Sequence, residues 1–226
     1  MPSSPPANDT PRPDTPQPGS PQPGSSQPGC TAPPLVLVHG LWDTPGLFRR
    51  LEQRLEGRRD PVLVPHLPHG LGERPVLELA EELGQAVADC FGPDQPVDVL
   101  GFSLGGVIAR TWIQLLGGRE RTRRLISVGS PHRGSLLALP WPRRWLSTVA
   151  DLRPGSPLLR RLNDDPAGLE GVECTSFWCL PDQMVVPSWT GVLPRGSRHQ
   201  LPVWHHQQLI TSPAGLEAIV AELLRP

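Results

Sequence analysis

From residue 35 onward, short apolar runs alternate with stretches in which apolar side chains recur every three or four positions. The first run, Leu35-Val36-Leu37-Val38, has the length and β-branching of a buried strand and stops at His39-Gly40. Leu47, Leu51 and Leu55 follow at helical spacing, with Gly57 as a stop. Residues 61–64 read as a second strand, and Val76, Leu79, Leu83 and Val87 as the apolar stripe of a second helix. Strands are predicted again at 97–100, 125–128, 175–179 and 200–204, and helices at 104–116 and 213–224. Residues 132–170 break the alternation. There Leu136, Leu137, Leu139, Trp141, Trp145 and Leu146 crowd together around Pro140 and Pro142, which reads as a small, lid-like helical insertion. Alternation of this kind predicts an α/β fold: a mainly parallel sheet of about six strands with helices on both faces.

The chain before residue 34 has a different composition. Pro, Gly, Ser, Gln and Thr dominate, and Pro16-Gln17-Pro18-Gly19-Ser20 repeats as Pro21-Gln22-Pro23-Gly24-Ser25. Such a segment lacks the apolar surface to offset its ordering entropy, so residues 1–33 are read as a disordered spacer. A docking ligand for a proline-binding module is the alternative. Residues 34–226 are enough for one domain with a full core. The net charge of −1 carries no signature of nucleic-acid binding, and all 21 basic residues are Arg. The chain opens on no charged-then-apolar leader, and no apolar run approaches the roughly twenty residues of a membrane span. A cytoplasmic protein without a transmembrane segment is therefore expected. Cys30, Cys90, Cys174 and Cys179 are read as free thiols. None pairs with a His at a zinc spacing, and neither metal nor cofactor is expected.

Chemistry concentrates at predicted strand ends. Gly101-Phe102-Ser103-Leu104-Gly105 is a G-x-S-x-G box between an apolar strand and a helix. A sharp turn at Ser103 needs neighbours without a Cβ and would hold the hydroxyl at the positive end of the helix. A serine hydroxyl is a poor nucleophile unless a His takes its proton and a carboxylate orients that His. Asp182 stands at one predicted strand end, and His205 and His206 at another. Asp98 is a rival acid, but it lies inside the strand before the Ser. His66 and His69 flank a Pro-rich loop and are read as solvated, and His132 as an anchor for its own loop.

These segments together resemble the lipase and esterase branch of the α/β-hydrolase family. Leu35-Val36-Leu37-Val38-His39-Gly40-Leu41 is similar to that branch's first strand and oxyanion loop. Gly101-Phe102-Ser103-Leu104-Gly105-Gly106 is similar to its nucleophile turn, with Phe102 where many members carry His. Gly129-Ser130-Pro131-His132-Arg133-Gly134-Ser135 resembles a segment of its triacylglycerol lipases. Pro181-Asp182-Gln183-Met184-Val185-Val186-Pro187 and His206-Gln207-Gln208-Leu209-Ile210-Thr211-Ser212-Pro213 resemble its acid and histidine loops. The resemblance implies Ser103 as nucleophile, His206 rather than His205 as base, and Asp182 as the orienting acid. It also implies backbone N–H donors at Leu41 and Leu104 for the oxyanion. No strand precedes Leu35, which implies a trimmed version of the fold.

The resemblance implies a serine carboxylic-ester hydrolase. A thioesterase or phospholipid deacylase with the same triad is the nearest alternative, and a non-catalytic binding module on the same scaffold is the more distant one. Trp141 and Trp145 are four residues apart and would share a helical face over an acyl pocket, or else seal the insertion to the core. Arg133, Arg143, Arg144 and Arg153 make the insertion basic. That basicity is read first as a solvated face, with transient contact to an anionic lipid surface as the alternative.

Overall fold

The computed structural model describes Met1 and residues 32–142 and 144–226. The expectation for residues 1–33 therefore falls almost wholly outside the described residues. Six strands form one parallel sheet: β1 (Leu35–Val38), β2 (Val62–Leu63), β3 (Val97–Phe102), β4 (Thr122–Val128), β5 (Glu173–Trp178) and β6 (Ser197–Gln200). Their spatial order is β2-β1-β3-β4-β5-β6. All five pairings are parallel. The α/β architecture predicted from hydrophobic periodicity is thus the one observed.

Side-chain alternation splits the core in two. From β1, Val36 and Val38 face one apolar cluster, and Leu35 and Leu37 face the other. Helices α2 (Val76–Phe91) and α3 (Leu104–Leu115) cover the first face. The predicted stripe Val76, Leu79, Leu83 and Val87 is fully buried there. Each such side chain contributes roughly 1.5–3 kcal/mol. Gly84 lets α2 approach α3 closely, because a Cβ there would stand 2.7 Å from Trp112 Nε1. Helix α1 (Arg49–Leu55), the short α6 (Gln208–Thr211) and the closing α7 (Pro213–Leu223) cover the second face. The insertion holds two short helices, α4 (Ser147–Asp151) and α5 (Pro157–Asp164), flanked by 3-10 turns. Leu159 and Leu162 of α5 anchor it in the first cluster.

Two expectations are corrected. The last strand is Ser197–Gln200, not 200–204. All four of its residues are exposed, as an edge strand permits, so it lacks the apolar signal of a strand. Leu201 and Val203 carry that signal but pack into the second cluster beyond the strand, and Pro202 has no N–H to extend a ladder. Trp141 and Trp145 do not share a helical face. They lie in a bend and a turn before α4, which opens only at Ser147.

Asp98 lies near the amino end of β3, among arginines. Its carboxylate meets Arg59 Nη2 at 2.8 Å and Arg123 Nη2 at 2.6 Å. Arg59, only 2% exposed, also donates to the carbonyls of Leu223 and Pro33 and so ties α7 and the chain entrance to the sheet. Removing Asp98 leaves a buried cation uncompensated. Asp98→Ala is expected to cost about 3–5 kcal/mol, read as a fall in the urea midpoint. Arg123→Ala, which removes a partner 36% exposed, is expected to cost less than about 1 kcal/mol.

Candidate active site

The strand order reverses between β1 and β3. After β1 the chain runs to α1 on one face, and after β3 it turns into α3 on the other. Loops diverging from neighbouring strands open a crevice at their carboxyl ends, where ligands of open α/β sheets bind. Ser103 stands at that reversal, between β3 and α3.

The turn at Ser103 is strained, with φ 53° and ψ −123°. A non-glycine residue held so costs about 1–3 kcal/mol and persists only where its surroundings fix it. The Ser103 N–H donates to the Val128 carbonyl at 2.8 Å. Gly105 gives α3 its close approach to β1, because a Cβ there would fall on the Val38 carbonyl oxygen. Gly101 lies against the backbone of Gly106 in the same way. Gly40 brings the β1 loop alongside, since its Cβ would come 3.0 Å from Ser103 Cβ. The N–H groups of Leu41 and Leu104 donate to no other group among the described residues.

Asp182 and His206, 24 residues apart, meet in the structure: Nδ1 of His206 donates to Oδ2 of Asp182 at 2.8 Å. The other carboxylate oxygen accepts the N–H groups of Met184 at 2.8 Å and Val185 at 2.9 Å. With Nδ1 engaged on the carboxylate, Nε2 is the ring nitrogen left facing away from Asp182. That atom is buried and has no hydrogen-bond partner among the described residues, the Ser103 hydroxyl included. The His206 ring lies 4.9 Å from the Phe102 ring and packs on Gly129, where a Cβ would approach Cε1 to 3.0 Å. Phe102 directly precedes Ser103, so the imidazole rests beside the strained turn. His205 is exposed, with Nδ1 3.4 Å from Gln183 Oε1.

Several supporting side chains escaped the sequence reading. The Ser135 hydroxyl donates to the Met184 carbonyl at 2.9 Å and accepts the Val186 N–H at 3.1 Å, fastening the acid loop to the insertion. His69 is not solvated as expected. It is buried, and its Nε2 accepts the Trp42 N–H at 3.0 Å. No spacing rule points to a contact between residues 27 positions apart in two loops. Arg110 of α3 is fully buried and donates to Gln114, Asn163 and the Leu162 carbonyl. Burial lowers its pKa to about 10, still charged at neutral pH. His132, also fully buried, bonds Ser127 Oγ through Nε2 at 2.7 Å. Burial, with the Arg110 charge nearby, holds its pKa well below the ordinary value, so it is neutral. Cys179 lies 3.9 Å from Asp182 Oδ2, and burial beside that carboxylate raises its thiol to about 12. Asp98, the rival acid, is committed to its arginines at the amino end of β3.

A sequence model of the alpha/beta hydrolase family matches residues 35–224, and the chain belongs to that family. Among solved structures it is similar to the mature lipase BlEst2 of Bacillus licheniformis, at 17% identity and a TM-score of 0.70, over 88% of this chain and 94% of that one. Aspergillus fumigatus lipase B gives 17% identity and a TM-score of 0.70 over 86% of this chain and 52% of its own. The RedJ thioesterase of Streptomyces coelicolor gives 21% and 0.52 over 89% and 96%. At these identities the likeness establishes the fold. No curated protein matches the chain in sequence. No helix among the described residues is long and apolar enough to cross a membrane.

The close approach at the turn has a measurable consequence. Gly105→Ala forces a methyl onto the Val38 carbonyl and is expected to destabilise the fold by about 1–3 kcal/mol, as overpacking does. Gly46→Ala, whose Cβ would meet nothing nearer than 3.5 Å, is expected to be near neutral. Thermal melts of the two variants make the comparison.

Proposed function

We propose that the protein is a serine carboxylic-ester hydrolase, of esterase or lipase type, working through Ser103, His206 and Asp182. The observation that carries this reading is the Asp182–His206 hydrogen bond, which leaves a buried, bare Nε2 beside the strained Ser103 turn. In the first step Ser103 Oγ attacks the ester carbonyl carbon and its proton passes to His206 Nε2. Asp182 holds the Nδ1–H tautomer and stabilises the imidazolium. The Leu41 and Leu104 N–H groups hold the tetrahedral oxyanion. Collapse breaks the bond to the leaving oxygen, which takes the proton from His206 and departs as an alcohol. Water then repeats the sequence on the acyl-enzyme, releasing the acid and restoring Ser103.

The surroundings favour an apolar acyl group. Apart from Met1 and Leu77, every large hydrophobic residue that is exposed among those described lies in a segment that follows the carboxyl end of a strand. They include Trp42, Leu71, Trp141, Trp145, Met184 and Trp204. Exposed apolar residues gathered on one side mark a binding surface for apolar groups or a lipid interface. The same triad would serve a thioester or a phospholipid. Turnover of acyl thioesters well above that of matched oxygen esters would select the thioesterase reading.

Ser103→Ala and His206→Ala are each expected to lower p-nitrophenyl ester turnover by at least about 10⁴-fold, while His205→Ala costs far less. Fluorophosphonate labelling should vanish in Ser103→Ala. Near-wild-type turnover in that variant would remove the nucleophile assignment, and an unlabelled wild type would point to a non-catalytic binding module. Replacing Trp141 and Trp145 together by Ala is expected to raise KM for long acyl chains more than for acetate. An equal effect on all chain lengths would separate the two rings from the acyl site.

A further inference from the structure

The oxyanion turn is held from outside its own strand. Gly40, Leu41, Trp42 and Asp43 form a tight turn closed by Asp43 N–H on the Gly40 carbonyl at 3.3 Å. Its third residue, Trp42, has φ 62°. A type II turn needs this left-handed conformation and normally takes a glycine there. A bulky residue holds it only when neighbours over-determine the backbone. Two tethers do so, and both come from the loop between β2 and α2. The Trp42 indole donates to the Leu71 carbonyl at 3.3 Å. The Trp42 backbone N–H donates to Nε2 of His69 at 3.0 Å.

Both ring nitrogens of His69 meet main-chain groups. Nδ1 lies 3.0 Å from the Gly70 carbonyl oxygen. Nε2 takes the Trp42 N–H and lies 3.2 Å from the Gly40 carbonyl oxygen, so it touches two main-chain groups of the same turn. The hydrogen bonds of this buried side chain go to main-chain groups of Gly40, Trp42 and Gly70. Two of these bonds run to the turn that carries Leu41, and Gly40 of that turn packs so close to Ser103 that a Cβ there would stand 3.0 Å from Ser103 Cβ.

We propose that His69 is a positioning residue for ester hydrolysis: through its Nε2 it locks the Trp42 amide and so keeps the Leu41 N–H aimed where the oxyanion develops. The inference rests on Ser103 as nucleophile and Leu41 as oxyanion donor. An interaction made in the transition state acts on kcat, and losing one oxyanion donor costs about 10²–10³ in rate. Loosening that donor without deleting it should cost roughly ten- to a hundredfold.

The test compares wild type, His69→Ala and His69→Gln, whose side-chain carbonyl can reach the same N–H. The readouts are kcat and KM for p-nitrophenyl acetate, inhibition by a trifluoromethyl ketone that forms the tetrahedral oxyanion, and thermal melts. The expected result is a ten- to hundredfold fall in kcat for His69→Ala with KM little changed, a parallel weakening of the ketone, and partial recovery of both in His69→Gln. Wild-type kcat and ketone affinity in a folded His69→Ala would overturn the positioning role while leaving the triad in place. So would a fall in melting temperature in both variants with kcat per folded molecule unchanged, since His69 would then serve only the fold. A wild type that neither turns over esters nor labels at Ser103 would overturn the hydrolase reading, and this inference with it.

Discussion

The structure depends on the close approach of the α3 N-terminus to the carboxyl end of β1. Gly105 permits it by leaving room for the Val38 carbonyl, and Gly101 by leaving room for Gly106. Between these two contacts the chain can pass from strand to helix only by placing Ser103 in a left-handed, high-energy conformation. The strain is held by packing on both sides and by the Ser103 N–H on Val128. One constraint therefore carries Ser103 out at the end of the strand, leaves the Leu104 N–H without a partner among the described residues, and sets Gly40 against the serine. It falls where the strand order reverses, so the crevice between diverging loops opens at the same place.

The other two candidate groups are brought in by longer routes. Asp182 leaves β5 and is fixed before it meets His206, because one of its oxygens already accepts two backbone amides. Ser135 then binds that loop to the insertion through the Met184 carbonyl and the Val186 amide. His206 rests on Phe102 and Gly129, with little freedom to turn. The imidazole is thus oriented by packing below and by a carboxylate behind, and its free nitrogen is left in a dry setting. Such preorganisation lowers the reorganisation needed when charge develops.

Much of this was legible in the sequence, for definable reasons. β1 is covered on both faces and reads as a continuous apolar run, while β3 and β4 carry apolar residues on both faces around Asp98 and Ser127. Ser103, Asp182 and His206 could be singled out because each follows an apolar run that ends abruptly, in the chain order of the α/β-hydrolase arrangement. β6 was misplaced because an exposed edge strand needs no apolar residues, while Leu201 and Val203 beside it are apolar for another purpose. The helical pairing of Trp141 and Trp145 failed because four-residue spacing implies a shared face only inside a helix, and Pro142 stands between them. The burial of His69 has no local signal, because nothing in its own segment reports that the loop folds over the turn after β1. Contacts between two irregular loops follow from tertiary geometry alone, and periodicity carries no trace of them.

The ionic lock of Asp98, Arg59 and Arg123 occupies the far end of β3 from Ser103. It joins the chain entrance, β4 and α7 while touching no candidate catalytic group. The sheet therefore separates the residues that keep the domain folded from those proposed to act on substrate. A lineage carrying this chain can drift at the amino ends of its strands, gaining or losing thermal tolerance, without altering its substrate preference. Its carboxyl-end loops can diversify toward new acyl groups while the foundation stays fixed.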